Sequence, residues 1–323
     1  MTETTAPTLR LTAHDPADLV ACSLVTLGFE PTESLVMLTF APGRRTFHAR
    51  LDLPDPPDRA AVEAVTQVLR RPAVQHGVER VAFLYFSADA ARCLPLVHPL
   101  IDAFLEAGIG VIDAVRYHDG RLHGLTGDDD DLPPDGLPID PWGHRFLAEA
   151  VHAGHVVLPR RTDLVDSLRP DVDAWTALRP IWKDAPAAFN PLLGPARLRE
   201  AVLAAVATLE AGEALDPIVV VRLIRAVRSY RGRRHAWCAP SRAEARAHLD
   251  LWIHLVRCAP SGWVVGPAAL AALAAAYVGD GALAWCAVDR AIEDEPADPV
   301  AAMVAEGLAA AVPPETYAPV TGP

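Results

Sequence analysis

Ser34–Phe40 reads S-L-V-M-L-T-F and Arg80–Ser87 reads R-V-A-F-L-Y-F-S. The first is almost continuously apolar, the pattern of a strand buried on both faces, and the second is the strongest strand pattern in the chain. A sheet built on such strands needs helices packed against it. These two segments therefore decide the fold of the first half, and the flanking sequence is read outward from them.

Upstream, T-L-R-L-T at Thr8–Thr12 alternates as a short strand. Asp15-Pro16-Ala17-Asp18 then opens a helix. Asp15 suits the cap, Pro16 the first turn and Asp18 the positive end of the dipole. Leu19, Val20, Leu24 and Leu27 continue it, and Gly28 suits its end. Between the two strands, Ala41-Pro42-Gly43 is a turn and Thr46–Leu53 alternates, which predicts an antiparallel hairpin. Pro56–Arg71 has helical spacing. Beyond Ser87, Asp89–Gly108 is a helix that Pro95 and Pro99 should kink or shorten. Gly110–Tyr117, a turn at His118-Asp119-Gly120 and a returning strand at Arg121–Leu125 complete the half. The order β-α-β-β-α-β-α-β-β predicts an α/β half, residues 1–125, with a mixed sheet flanked by helices.

Residues 126–169 read as linker and junction, rich in Asp, Pro and Gly at first, with a helix over 141–153 and a last short strand or an extended crossing at Val156–Pro159. No strand pattern recurs after Arg169. Helices are predicted at 171–182, 195–211, 216–230, 241–258, 263–278, 281–294 and 298–311, an all-α half over 170–312 with a frayed tail over 313–323. Near its end, Gly279, Ala284, Val288, Ala291 and Pro296 fall at the spacing of the second half of a tetratricopeptide unit. Small residues there let two helices approach closely. No second copy follows, so the pattern is a tetratricopeptide-like hairpin, and an ordinary helical hairpin that uses small residues for packing is the simpler account of it.

Net charge is −12, and Lys183 is the only lysine. Residues 1–158 hold 12 basic and 22 acidic side chains, net −10. That half repels phosphate backbones, which disfavours nucleic acid as a partner. Five widely spaced cysteines without C-x-x-C argue against a disulfide framework or zinc ribbon and fit a reducing, cytoplasmic setting. Residues 1–15 do not read as a signal peptide. The longest apolar run, Pro267–Val278, is too short and alanine-rich for a membrane span.

Three blocks carry a family likeness: D-P-A-D-L-V-A-C-S-L-V-T-L-G-F-E-P-T-E-S-L-V (15–36) with A-R-L-D-L-P (49–54), G-H-V-V-L-P-R-R-T-D-L (154–164) and G-D-G-A-L-A-W-C-A-V-D-R-A-I-E-D-E-P (279–296). They resemble an actinobacterial family known as domain of unknown function 4192. The resemblance spans most of the chain and implies no established activity. Many members place cysteines after the hairpin corresponding to 111–125. This chain has Asp128–Asp131 there, so a thiol or metal role of that loop does not carry over.

Several clusters are candidate sites. His118, Asp119, His123 and Asp128–Asp131 could hold a cation, though a solvated acidic loop explains them too, and no metal site is assigned. His144, His152 and His155 lie within two helical turns or just beyond. Arg222, Arg225, Arg228, Arg231, Arg233 and Arg234 form a basic stretch that could bind an anion or an acidic partner, or pair with the chain's own carboxylates. Arg160-Arg161-Thr162-Asp163 sits at the junction of the halves. Phosphate-loop, dinucleotide and serine-hydrolase motifs are missing, and no cofactor is implied. Two functions stay open. One is a non-enzymatic interaction or regulatory protein that meets a protein partner through its helical half. The other is a hydrolase or phosphate-handling enzyme with Asp52, Asp113 and His118 at strand ends.

Overall fold

A computed structural model describes residues 11–41, 47–126, 132–153, 155–184, 194–239 and 241–319. The chain divides into two compact units, Ala6–Arg161 and Thr162–Pro323.

The first unit contains α1 (Pro16–Leu27), β1 (Ser34–Phe40), β2 (His48–Asp52), α2 (Arg59–Gln75), β3 (Arg80–Phe86), α3 (Ala90–Glu106), β4 (Gly110–His118), β5 (Arg121–Gly124), β6 (Leu137–Pro138) and α4 (Arg145–His152). The sheet order is β2-β1-β3-β4-β5-β6. Only β3 and β4 pair in parallel, joined by the crossover helix α3; the other neighbours are antiparallel. The sheet is mixed and carries helices, as its strand patterns require.

β1 is buried along nearly its whole length and β3 beyond its first residue. Alternation sends Leu35, Met37, Phe83 and Tyr85 to one face, where α2 and α3 supply Leu69, Leu96, Leu100 and Phe104. Val36, Leu38, Ala82 and Leu84 point the other way and are fully buried, with α1 packed on that side and α4 packed on α1. The capping of α1 follows its sequence. Asp15 accepts from the Asp18 amide at 2.8 Å, Pro16 opens the first turn, and Gly28 ends the helix at φ 73°.

Three expectations change. α3 runs unbroken across Pro95 and Pro99, because both prolines lie on its exposed face while Cys93, Leu96, Val97 and Leu100 stay buried against the sheet. Leu11 and Thr12 are not in a strand; the rest of Thr8–Thr12, most of the Ala41-Pro42-Gly43 turn and all of Asp128–Asp131 lie outside the described residues. Val156–Pro159 contributes one bridge, Leu158 with Phe29.

The second unit holds α5 (Arg161–Ser167, starting one residue before it), α6 (Val172–Asp184), α7 (Pro195–Glu210), α8 (Pro217–Ala226), α9 (Tyr230–Ala236), α10 (Ala245–Cys258), α11 (Val265–Val278), α12 (Gly281–Asp294) and α13 (Pro299–Ala309). A 3₁₀ turn follows at Pro314–Tyr317. No strand occurs there among the described residues. α11 is buried on every side, and a two-residue connection turns it back into α12, with Ala284 and Ala291 fully buried. The 3₁₀ turn is docked rather than frayed: Tyr317 is buried and its carbonyl accepts from the Trp237 indole at 2.9 Å.

The helix expected over 216–230 breaks after Ala226. Arg233, almost wholly buried, donates to the carbonyls of Val227 (3.2 Å) and Arg228 (2.9 Å) and pairs with Asp298. The other oxygen of Asp298 accepts from the amides of Val300 (3.1 Å) and Ala301 (2.9 Å) at the start of α13. One ion pair therefore satisfies backbone groups beyond α8 and at the start of α13. Replacing Arg233 by Met strands a buried carboxylate, and urea unfolding should show a loss of about 3–5 kcal/mol. A Cβ on Gly232 would sit 1.8 Å from the Ala226 carbonyl, so Gly232→Ala should also lower the urea midpoint, although Ala is the better helix former.

Candidate functional site

A strand buried on both faces meets solvent only at its ends, and for β3 the carboxyl end is Ser87. Ser87 is itself buried. Its hydroxyl donates to the Glu33 carboxylate (3.0 Å) and accepts from the Asp89 amide (3.1 Å). Asp89 then caps α3 through the Ala91 amide at 2.8 Å. Arg92, on the first turn of α3, bonds Glu33 at 2.7 Å and the Leu53 carbonyl at 2.9 Å. Glu33 adopts φ 45°, an uncommon conformation for its residue type, and this network holds it there. The network ties the start of β1, the segment after β2, the end of β3 and the head of α3 together. Ser87 serves it as a clamp. The Cys93 thiol beside it is pushed up to about 11, chiefly by burial, so it stays protonated and poorly nucleophilic.

One strand over, Arg116 of β4 stands opposite His123 of β5 and is in register with Tyr85 of β3. Arg116 Nη1 donates to the Ser87 carbonyl at 3.0 Å. Among the described residues it meets no carboxylate. Its Nε is buried without a hydrogen-bond partner, as is the Tyr85 hydroxyl. The buried Nε atoms of Arg92, Arg225 and Arg233 are likewise without a partner, so this feature is not peculiar to Arg116. Arg116 and His123 line a cavity of about 440 Å³, with Ala90 and Leu94 of α3, Gly124, Leu125 and Leu132–Pro134 forming the remainder. Burial first, then the nearby Arg116 and Arg121 guanidiniums, hold the His123 imidazole below the usual histidine range. Gly136 sets the ring's position, since a Cβ there would lie 2.7 Å from it. The groove thus offers one guanidinium that meets no carboxylate among the described residues, an imidazole, and apolar side chains from Leu94, Leu125 and Leu132.

The structure does not gather Asp52, Asp113 and His118. Asp52 ends β2 and pairs with Arg50 at 2.5 Å. His118 ends β4 at the same edge of the sheet, but β1 and β3 intervene, roughly 14 Å at the usual strand spacing. Asp113 lies opposite Ala82, away from the strand end, and accepts from the Ala114 amide at 2.8 Å. Among the described residues no group of three or more His, Cys, Asp or Glu is placed to hold a metal ion. His144 caps α4: its Nδ1 accepts from the Phe146 amide (3.3 Å) and its Nε2 lies 2.9 Å from the buried Asp18, so it joins α4 to α1. His152 and His155 are exposed and apart from it.

The six arginines do not share one helix face. Arg222 and Arg225 belong to α8, Arg228 to the break, and Arg231, Arg233 and Arg234 to α9. Arg225 stacks on Trp182, 4.7 Å from the ring centre, and bonds the Trp182 carbonyl at 2.9 Å. Arg228 pairs with Glu295 at 2.5 Å and Arg233 with Asp298. Arg231 and Arg234 are exposed. Arg161 and Asp163 fall on the short helix α5.

A family model described as Domain of unknown function (DUF4192) matches residues 16–315. The chain belongs to that family. No curated protein and no solved structure matches it. In this DUF4192 protein the residues that sequence reading missed are Glu33, Ser87, Arg92 and Arg116. Arg116 carried a usable signal, a cation inside the apolar alternation of β4; Glu33 carried none, because its role depends on partners more than 50 residues away.

Burial pushes His48 down to about 4 and lowers His248 and His254 as well. An unfolded histidine titrates near 6.5. Below that pH the unfolded chain binds protons that the folded chain refuses, so stability falls from about pH 6.5 toward pH 4. Urea midpoints at about pH 7.5 and about pH 5 should drop accordingly, and His248→Leu should lose less between the two than the parent chain.

Proposed function

We propose that this DUF4192 protein is a ligand-responsive regulatory or interaction protein of the cytoplasm, whose α/β unit binds a small anion at the carboxyl end of β3 and β4. One observation carries the reading: Arg116, with no carboxylate partner among the described residues, lines an open groove with His123 at the head of α3. Open α/β sheets place ligands at this end of their strands. The free state of all five cysteines supports the reducing setting.

The helical unit is proposed to meet a protein partner through its terminal hairpin, used in a tetratricopeptide-like manner. In support, Trp285 and Ile292 sit two turns apart on α12, and they and Met303 of α13 are exposed although apolar. A second reading, an enzyme at the same strand ends, is favoured only by Asp52 and His118 sharing that edge of the sheet.

Thermal denaturation with a panel of small anions tests the anion site. An anion at about 100 times its Kd stabilises the parent chain by about 2.7 kcal/mol, and Arg116→Gln should erase that gain. Equal stabilisation of both proteins would sink the site. Recovery of the bound anion unchanged supports the regulatory reading, whereas turnover transfers the same cavity to the enzymatic one.

A further inference from the structure

We propose that the helical unit carries a groove for an extended peptide with an acidic residue two positions before an aromatic one, and that the chain's own strap over residues 312–319 is its built-in occupant. The strap reads V-P-P-E-T-Y-A-P and contains the 3₁₀ turn. The inference needs neither the groove beside Arg116 nor the exposed residues of α12.

Three contacts define what the groove accepts. The first is the ring. Tyr317 is the buried side chain of the strap, while Pro313, Glu315, Thr316 and Ala318 are exposed. The ring lies on Gly307 of α13, where a Cβ would run into the Tyr317 hydroxyl. Glycine weakens a helix, and the space it leaves here is the ring's. The second contact is to the main chain. The Trp237 indole, held edge-on to Tyr277 at 5.9 Å, donates to the carbonyl of the same Tyr317 at 2.9 Å. An indole N–H is a donor only, so it selects a carbonyl. The third is charge. Arg242 is fixed by two bonds to the Val278 carbonyl, from Nε at 3.0 Å and Nη2 at 2.6 Å, and its Nη1 reaches Glu315 at 3.5 Å.

The strap is built to be replaced. It joins α13 through Ala311 at φ 51°, a conformation uncommon for a residue with a Cβ. Its ion pair is half exposed on both sides, a weak kind. The Tyr317 hydroxyl is enclosed and has no hydrogen-bond partner among the described residues, so phenylalanine would fill the same space without stranding a polar atom. A short tether gives the strap an effective concentration in the millimolar range, enough to exclude weak peptides and to yield to a better one.

Fluorescence polarisation of the full chain with a labelled, acetylated PPETYAP peptide tests the assignment. The parent chain should bind it weakly. Tyr317→Ala vacates the groove and should bind about tenfold or more tightly. Glu315→Arg, at an exposed position, loosens the strap without touching the core and should gain about threefold; it decides the matter even where Tyr317→Ala fails to fold. Adding Gly307→Ala to Tyr317→Ala fills the vacated space and should remove the gain. With Tyr317→Ala, PPETFAP should bind at least as tightly as PPETYAP, PPQTYAP about threefold more weakly, and the phosphotyrosine peptide not at all. No gain in either single variant overturns the groove. Undiminished binding after Gly307→Ala, or preference for the phosphopeptide, overturns the ring site. A parent dimer that Tyr317→Ala dissociates puts a second copy's strap in the groove and overturns the external peptide.

Discussion

β1 and β3 are buried on both faces, and much of the first unit follows from that constraint. A backbone hydrogen-bonded on both edges and covered on both faces leaves little room for polar side chains along its length, and Ser34, Thr39 and Tyr85 are the few buried ones that β1 and β3 carry. Helices must close each side, and the parallel step from β3 to β4 must be made by a helix long enough to return along the sheet. α3 is that helix, and its head is brought back to the end of β3. Charged side chains therefore gather at Ser87 and its neighbours, where the strand ends. The clamp of Glu33, Ser87 and Arg92 is the toll for ending four chain segments in one place, and its bonds stabilise a glutamate at positive φ that would otherwise be disfavoured.

The helical unit has a different organising element. α11 is apolar all round, as a helix at the centre of a bundle must be. The helices around it end where polar groups can be satisfied without reaching that centre. The connection after α12 does this repeatedly. Asp294 accepts from the amides of Gly262 (2.6 Å) and Val265 (3.0 Å), Glu295 takes Arg228, and Asp298 takes Arg233. The acidic end of the block that carried the family likeness is thus a set of latches. Two arginines of the basic stretch are their counterparts. Buried ion pairs are weak sources of net stability, because desolvation offsets attraction. This one is better understood as fixing where α8 stops and α13 starts.

Local signals were legible wherever the physics was local. The caps of α1, the alternation of β4 and the small residues between α11 and α12 are each decided within a few residues of chain, and reading them produced the right elements. The break between α8 and α9 carried one local mark that the reading passed over, Ser229, which caps α9 by accepting from the Gly232 amide; Arg233 adds a long-range tie by reaching back to carbonyls at 227 and 228 while held by a residue 65 positions on. The persistence of α3 across two prolines failed for a related reason. The cost of each proline is local, but the burial that offsets it depends on the sheet beneath.

The candidate site shows the same division more sharply. A search by residue type found Asp52, Asp113 and His118, which are chemically suited to a site but separated by the strand order. What the fold brings together is Arg116, His123 and Tyr85, all three of which lie in patterns that read as strand. An arginine at the end of a buried strand is costly to keep, since its guanidinium loses water that protein groups only partly replace. Elsewhere in this chain comparable arginines are compensated: Arg233 by Asp298, Arg92 by Glu33, Arg228 by Glu295. Arg116, in the half with the larger surplus of carboxylates, has none of them as a described partner. Among the described residues, then, the strand order leaves one cation without a carboxylate beside an open groove, and that placement is what the proposed anion site rests on.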